Sequence, residues 1–238
     1  QPGRTLPTFA YAPWHNKPMD PVIAVEAAGV LERLRQTVAG GVDAGARRRA
    51  EYSTDASNYR IPPLGVVFPK DEADVMAALA ACREFGVPLT SRGGGTSCAG
   101  NSIGEGIVLD FSRHMNAIVA IDPEAQTARV QPGVVMSDLQ KAAAPFGLRF
   151  GPDPSTQNRA TFGGMIGNNA CGPHAVAFGR TADNVESLDV VLADGRRMTA
   201  GPNGRGYEAV PELERIVESN LATIRMGFGR FKRWMMPP

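Results

Sequence analysis

The pattern of apolar and polar positions predicts that the chain opens with a helix between two irregular segments. Apolar residues recur at helical spacing from Val22 to Val38, and Gly40-Gly41 predicts where this helix ends. Repeated prolines in residues 1–20 predict an extended arm, because proline blocks helix formation. Residues 47–61 are mostly polar and include the basic triplet Arg47–Arg49, which predicts an exposed connection with a solvated basic face.

Short apolar runs from residue 61 onward predict a series of strands. They lie at residues 66–68, 87–90, 107–111, 118–121, 128–131 and 148–150. Between the first two, Asp71 predicts a helix N-cap with Asp74 in a capping-box position, and Gly86 predicts the helix end. A strand, a helix and a second strand within about 25 residues favour a βαβ crossover.

The remaining elements complete a mixed fold. Residues 137–144 and 211–225 predict helices, and Asp122–Ala125 predicts a type I turn. Strands at 188–193 and 196–199 flank Asp194-Gly195, a pair that favours a primed two-residue turn. We expect an α+β fold made of two successive small sheet-and-helix units rather than one doubly wound sheet.

Composition excludes several classes of function. The 238 residues carry 25 basic and 24 acidic side chains, so no excess charge favours a nucleic-acid backbone. No apolar run approaches the roughly 18 residues of a membrane-spanning helix. The first 21 residues are broken by prolines and contain no continuous apolar block, so we expect no signal peptide and a cytoplasmic protein.

Three cysteines are widely separated in the sequence. Cys82, Cys98 and Cys171 include no C-x-x-C pair, which argues against a disulfide framework and against a zinc or iron–sulfur site. We expect small apolar packing residues in a reducing compartment and no metal in this chain.

The most distinctive feature is a glycine-rich loop directly after a predicted strand. Residues Ser91–Asn101 contain three consecutive glycines, which let main-chain N–H groups approach an anion such as a pyrophosphate. The Walker pattern is absent because no lysine follows the loop. The G-x-G-x-x-G fingerprint fails because Cys98 occupies its last position. Taken alone, the loop is explained equally well as a tight turn.

A second stretch has the same chemistry. Residues 151–156 and 161–172 are rich in glycine, small residues and amide side chains. Two such segments some 60 residues apart are explained together by one long cofactor that is held at both ends.

These motifs resemble the FAD-binding domain of the vanillyl-alcohol oxidase and p-cresol methylhydroxylase type. The branch is that of glycolate oxidase subunits, D-lactate dehydrogenases and D-2-hydroxyglutarate dehydrogenases, especially large bacterial FAD-linked oxidases that carry a downstream iron–sulfur domain. The resemblance covers about residues 52–200. The motifs that carry it, in order, are residues 53–59, the loop 91–101, residues 151–155, 161–172 and 181–185, followed by 190–195.

The resemblance implies a role for each motif. Ser91–Ser97 would surround the pyrophosphate with Asn101 beside it, and Gly163–Asn168 would line the flavin and ribityl chain. The residues implied to contact the cofactor are Ser91, Arg92, Gly93, Gly94, Gly95, Thr96, Ser97, Asn101, Pro132, Gly133, Pro154, Ser155, Thr161, Gly163, Gly164, Gly167, Asn168, Gly172, Gly179 and Val185. Covalent relatives carry a flavin-anchoring histidine in the loop. Thr96 and Ser97 follow the glycines here, so we expect non-covalent FAD.

The same resemblance implies how the chain is divided. We expect an arm and helix at 1–60, an FAD-binding domain at 61–202 with lobes at about 61–115 and 116–202, and a C-terminal helix at 203–238. That helix would lead to an absent substrate domain. Three departures from the family pattern, at Cys98, Asn101 and Pro173, lie beside the expected cofactor.

No catalytic base is predicted. His15, His114 and His174 show no ligand spacing, and a lone histidine is more often structural. His174 is the strongest candidate of the three because it follows Gly172. Arg92 and Arg180 could bind an anion, although a surface role explains each equally well.

We expect hydride transfer to FAD from a D-2-hydroxy acid of the lactate, glycolate or 2-hydroxyglutarate type. The sequence does not identify the electron acceptor, and any membrane association would occur through that partner. One alternative is a non-catalytic FAD-binding fragment or accessory subunit, which needs a missing domain or partner subunit. The other is an NADPH-dependent enolpyruvyl sugar-nucleotide reductase of similar fold. Gly94→Val is expected to prevent FAD binding without unfolding the sheets.

Overall fold

The structure, a computed structural model, describes residues 21–201 and 210–228. Its helices are α1 (Pro21–Thr37), α2 (Ala46–Glu51), α3 (Glu72–Glu84), α4 (Met136–Ala143), α5 (Phe162–Gly167), α6 (Ala175–Phe178) and α7 (Pro211–Phe228). Its strands are β1 (Gly41–Asp43), β2 (Gly65–Phe68), β3 (Leu89–Arg92), β4 (Ile107–Asp110), β5 (Ile118–Asp122), β6 (Thr127–Val130), β7 (Leu188–Val191) and β8 (Arg197–Ala200). The predicted α+β class is confirmed. The expectations for the N-terminal arm, His15 and the end of the chain lie outside the described residues.

The main sheet has the order β1-β2-β4-β3. Strands β2 and β3 both pair parallel with β4, so α3 forms the predicted crossover with β4 inserted between its two strands. Strand β3 begins two residues later than predicted, because Pro88 lies before it and contributes only its carbonyl, which accepts from the Ile107 amide at 2.9 Å. Strand β3 also ends two residues later than predicted, at Arg92, so it leads straight into the glycine-rich loop.

Both faces of this sheet are covered. Val67, Ile107 and Leu109 belong to a buried cluster with Leu34 of α1 and Ala78 of α3. On the opposite face Val66, Phe68 and Val108 form a smaller cluster against Tyr52. Burial on both faces explains why β2 and β4 are continuous apolar runs rather than alternating ones.

A buried carboxylate joins the end of α1 to the start of α3. Asp71 caps α3 as predicted, accepting from the Asp74 amide at 3.0 Å. Asp74 does not complete a reciprocal capping box. Its carboxylate accepts from the main-chain N–H groups of Ala39, Gly40 and Lys70 at 2.7–2.9 Å. Its role is therefore tertiary, since it satisfies amides of two separate segments.

The segment predicted as an exposed connection is more ordered than its polarity indicates. Residues Ala46–Glu51 form α2, and Ser53 is buried. Arg49 donates through Nε to the Pro63 carbonyl at 2.6 Å, and Arg48 lies over the Phe68 ring at 5.4 Å. Intramolecular contacts rather than solvent therefore occupy much of this basic face.

The predicted strand at 148–150 does not form. The Gln140 side chain of α4 donates to the Phe150 carbonyl at 2.8 Å and accepts from the Phe150 amide at 3.0 Å. Because a side chain satisfies both main-chain groups of Phe150, they are not available to a neighbouring strand. Phe150 instead packs against a second buried cluster that includes Met136, Phe162 and Met165.

The hairpin of β7 and β8 forms as predicted, but the prediction of a primed two-residue turn between them is wrong. Gly195 has φ +88°, whereas Asp194 does not adopt a positive φ. The Gly195 amide donates to the Leu192 carbonyl at 2.9 Å and the Leu192 amide to the Arg196 carbonyl at 2.8 Å, so the connection is longer than Asp-Gly alone.

The prediction that the cysteines are small packing residues is confirmed only for Cys82, which is buried, since Cys98 and Cys171 are exposed.

Candidate functional site

The glycine-rich loop packs directly against the second glycine-rich stretch. A Cβ added to Gly93 would lie 1.9 Å from Thr161 Oγ1, and one added to Gly94 would lie 2.1 Å from the Arg159 carbonyl oxygen. Both distances are far below any real contact of a Cβ atom, so only glycine permits this approach. The two segments that the sequence singled out therefore meet in one place.

Side-chain hydrogen bonds close the loop on itself. Ser97 Oγ accepts from the amides of Ala99 and Asn101 at 3.2 and 3.3 Å and donates to Asn101 Oδ1 at 3.1 Å. Gly95 and Gly100 have φ +65° and +77°, a region that favours glycine. This arrangement fixes the position of the Asn101 side chain.

Asn101 joins the loop to α5. Its Nδ2 donates to Asn168 Oδ1 at 3.1 Å, and Asn168 Nδ2 donates to the Gly164 carbonyl at 3.0 Å. A continuous chain of hydrogen bonds thus runs from Ser97 to the main chain of α5. Each amide retains unused hydrogen-bonding capacity that a ligand could take up.

A cleft of about 1900 Å³ runs along this junction, larger than the roughly 300–1,000 Å³ of an ordinary small-molecule pocket. Half of the predicted cofactor residues line it, namely Ser91, Gly93, Asn101, Pro132, Thr161, Gly163, Gly164, Gly167, Asn168 and Val185. The cleft extends past them between α3 and the two hairpins, where Val75, Ile121 and Val190 are among its apolar walls. Its size and length suit an elongated ligand.

The other half of the predicted residues lie outside the lining, namely Arg92, Gly94, Gly95, Thr96, Ser97, Gly133, Pro154, Ser155, Gly172 and Gly179. For several the structure gives an internal reason for glycine. A Cβ on Gly133 would lie 2.2 Å from the Phe111 carbonyl oxygen, and one on Gly172 would lie 2.1 Å from that of Asp153. Close packing explains these glycines without a ligand.

Two features of the cleft wall point to a ligand. Thr161 is 2% exposed, and its Oγ1 has no hydrogen-bond partner within the described part of the chain. A buried hydroxyl without a partner is costly, so one is expected at a site that a ligand completes. A Cβ on Gly167 would meet no atom within 4 Å, so this glycine leaves its side of the cleft open.

A polar network beneath the loop was not predicted from the sequence. The Tyr52 hydroxyl donates to Asp110 Oδ2, and burial, followed by that carboxylate, raises the pKa of Tyr52. Asp55 accepts from Ser102 Oγ at 3.0 Å. Burial alone would raise the pKa of Asp55, but hydrogen bonds from Ser57 and Ser102 outweigh it and lower the value.

Polar groups one strand apart in space were not recognisable as neighbours from the sequence. The one sequence signal for part of this network was the motif at residues 53–59, which contains Asp55 and Ser57.

His174 forms a pair with Asp153. The carboxylate contacts His174 Nδ1 and also accepts from the His174 amide at 3.2 Å. The hydrogen bond from the imidazole is the main reason that the pKa of Asp153 lies below its ordinary value. Neither residue lines the cleft, and His114 is exposed. The described residues contain no group of three His, Cys, Asp or Glu side chains placed to hold a metal.

Comparison with known families and proteins gives consistent matches. Residues 63–201 match the family described as "FAD binding domain". The chain is 43% identical over 157 residues to D-2-hydroxyglutarate dehydrogenase of Escherichia coli, covering 65% of this chain and 15% of that protein. It is 39% identical over 178 residues to glycolate oxidase subunit GlcD of Bacillus subtilis, covering 74% and 38%. The chain thus spans less than a fifth of the dehydrogenase.

Solved structures give the same fold. The structure matches 6-hydroxy-D-nicotine oxidase of Arthrobacter nicotinovorans with a TM-score of 0.63 and 26% identity, over 71% of this chain and 37% of that one. It matches wild-type BBE-like 1 of Physcomitrella patens with a TM-score of 0.64 and 22% identity, over 73% of this chain and 38% of that one.

No helix within residues 21–201 or 210–228 has the length and hydropathy needed to cross a membrane.

Proposed function

Because this chain belongs to the family of FAD-binding domains, we propose that the cleft between residues 93–101 and α5 holds FAD non-covalently. The pyrophosphate lies against the glycine-rich loop, and the ribityl chain and flavin extend along α5. The observation that carries this placement is the hydrogen bond from Asn101 to Asn168, which joins the two predicted segments in the wall of the cleft.

The chemistry of the cleft fits the cofactor. Main-chain amides at glycines suit the pyrophosphate, which needs donors more than it needs charge. The orphaned Thr161 hydroxyl and the amides of Asn101 and Asn168 suit the ribityl hydroxyls, which both donate and accept. The open side of Gly167 leaves room for a flat ring to approach the main chain. No histidine occurs in the loop, in accord with non-covalent binding.

We further propose that the protein oxidises a D-2-hydroxy acid, with D-2-hydroxyglutarate as the first candidate and glycolate and D-lactate next. The bound flavin would accept the hydride from the substrate carbon. Support comes from the relatives, which are D-2-hydroxyglutarate dehydrogenases at 41–44% identity and glycolate oxidase subunits at 39%. This chain's own residues bind and orient the cofactor, and we assign no catalytic base among them.

The wider arrangement is also part of the proposal. We place a substrate domain, an iron–sulfur domain and the electron acceptor outside these 238 residues, on the same polypeptide or on a partner subunit. We place the protein in the cytoplasm, with any membrane association through the acceptor. The lobes at about 61–115 and 116–202 stay a prediction. A limited-proteolysis map of the protein with FAD bound would test that division.

The test begins with FAD titration followed by flavin absorbance. Gly167→Leu should weaken FAD binding at least tenfold, because its side chain would fill the open wall of the cleft. Ala222→Leu, at an exposed position of α7 outside the cleft, should bind FAD like the wild type. A wild-type protein that folds and takes up no FAD would refute the proposal.

The reaction is then tested anaerobically with FAD bound and with the proposed substrate domain present, on the same polypeptide or as a partner subunit. Bleaching of the flavin by D-2-hydroxyglutarate, D-lactate or glycolate supports the dehydrogenase and identifies its substrate. FAD binding without bleaching by any of the three supports a non-catalytic cofactor-binding subunit. Bleaching by NADPH alone would instead support the sugar-nucleotide reductase.

A further inference from the structure

The Arg92 side chain lies beneath the glycine turn rather than in the cleft. Arg92 is the last residue of β3, and the turn begins at the next position. A Cβ added to Gly95 would lie 2.6 Å from Arg92 Nη2, which puts the guanidinium directly behind that glycine. Arg92 does not line the cleft. Its charge is therefore close to the loop but separated from the ligand space by the loop's own backbone.

Main-chain carbonyls hold the guanidinium in place. Arg92 Nη1 donates to the carbonyls of Thr54 and Ser102 at 3.0 and 3.1 Å. The guanidinium also lies over the Tyr52 ring, 4.9 Å from its centroid. Thr54 lies between β1 and β2 and Ser102 follows the loop, so one side chain ties the exit of the loop to a distant segment.

The positive charge has no carboxylate partner. Among residues 21–201 and 210–228 no acidic oxygen lies within 4.0 Å of its nitrogens. Asp110 is the register partner of Arg92, but its oxygens accept from Tyr52 and from Ser112. Asp55 is similarly occupied by Ser57 and Ser102.

Burial lowers the pKa of Arg92, with partial compensation from Tyr52, Asp110 and Asp55, so the local environment does not fully offset its charge. A guanidinium nevertheless remains protonated in a protein, so the charge is present at all ordinary pH values. An anion on the outer side of the glycine turn would complete this electrostatic environment.

We propose that Arg92 is a positioning residue for a diphosphate-bearing ligand, acting in two ways through the glycine turn and without touching the ligand. Its bonds to Thr54 and Ser102 hold the turn in its binding shape. Its half-buried charge, which has no carboxylate partner among the described residues, attracts the diphosphate across the backbone. The inference rests on the proposed FAD site and deepens it, because it replaces a direct arginine–phosphate contact with an indirect one.

Three substitutions separate the two actions. Arg92→Met removes both the charge and the hydrogen bonds. Arg92→Lys keeps the charge but loses the planar guanidinium group and its fixed set of N–H donors. Arg113→Met is the matched control, because Arg113 also stacks on an aromatic ring, that of Phe68 at 3.8 Å, but is exposed and does not line the cleft. FAD dissociation constants are measured at about 50 and 500 mM salt, since added salt screens electrostatic attraction.

We expect Arg92→Met to weaken FAD binding about tenfold to thirtyfold at low salt and to flatten its salt dependence. Arg92→Lys should bind more weakly than the wild type but keep the wild-type salt dependence. Arg113→Met should match the wild type at both salt concentrations. A role in loop shape alone would instead lower affinity equally at both concentrations in Arg92→Met, which would overturn the electrostatic part.

Two further outcomes keep the inference falsifiable. If Arg92→Met does not fold, the lysine variant decides, and a loss of salt dependence despite the retained charge would refute the proposal. If the wild type binds FAD and Arg92→Met binds it equally well at low salt, this inference fails while the proposed function stands. If the wild type binds neither FAD nor inorganic pyrophosphate, the proposed function fails first.

Discussion

Replacing Gly94 by alanine tests whether the glycine-rich loop is shaped by its packing or by its ligand. The added Cβ would lie 2.1 Å from the Arg159 carbonyl oxygen and 3.0 Å from its carbon. Real Cβ atoms essentially never approach within 3.0 Å of such an atom, so the backbones must separate by about 0.9 Å. The neighbour is main chain, which cannot rotate away as a side chain can.

The magnitude follows from that displacement. Inserting a methyl group into a packed contact that must shift costs about 1–3 kcal/mol. Gly167→Ala is the matched control because its Cβ meets nothing within 4 Å and α5 gains up to about 1 kcal/mol from alanine. The two variants should therefore differ by about 1–4 kcal/mol in unfolding free energy, or roughly 2–16 °C in Tm for a chain of this size.

Urea denaturation of the FAD-free proteins measures this difference. A Gly94→Ala protein as stable as Gly167→Ala would refute the packing explanation. The same geometry changes the meaning of the Gly94→Val experiment that the sequence suggested. Valine there would disturb the contact with residue 159 before any ligand is present, so a loss of FAD would not locate the pyrophosphate. Gly167 is the cleaner probe of the cleft.

Three other outcomes are expected. Asp74→Ala should destabilise the protein by about 3–5 kcal/mol in urea denaturation, because three amides lose a charged acceptor. The control Asp71→Ala, which removes a simple helix cap, should cost about 1 kcal/mol. Equal losses in the two variants would contradict the tertiary role of Asp74. Burial raises the pKa of Cys82 to about 11, so at pH 8 Ellman's reagent should modify the two exposed thiols quickly and this one only after unfolding. A third fast thiol would contradict that burial. A double-mutant cycle of Asn101→Ala and Asn168→Ala should give a coupling of about 0.5–1.5 kcal/mol, and strict additivity would mean that their hydrogen bond is not formed.

Much of the fold was predictable because its signals are local. The caps and periodicity of α3, the apolar runs of β2 and β4, and the polar turn between β5 and β6 all lie within a few residues of one another. Errors arose where a distant group decided the outcome. Residues 148–150 have a strand-like sequence, but the Gln140 side chain takes both main-chain groups of Phe150.

The candidate site divides in the same way. Composition alone located both glycine-rich segments, and residues of both line the cleft. It could not distinguish a glycine that faces a ligand from one that packs against a neighbouring backbone, because both needs produce the same residue. Gly167 and Gly94 are the two cases, one open to the cleft and the other held against residue 159.

Arg92 extends this argument from glycines to charges. In the sequence, the family resemblance implies that Arg92 contacts the cofactor, while a surface role explains the residue equally well. In the structure, parallel pairing with β4 places Arg92 opposite Asp110, while its guanidinium bonds to the carbonyls of Thr54 and Ser102. Glycines without side chains let this half-buried charge lie immediately behind the turn. The absence of Cβ atoms therefore serves two purposes, since it lets the loop pack on the segment that ends at Thr161 and brings a positive charge within reach of whatever anion the loop binds.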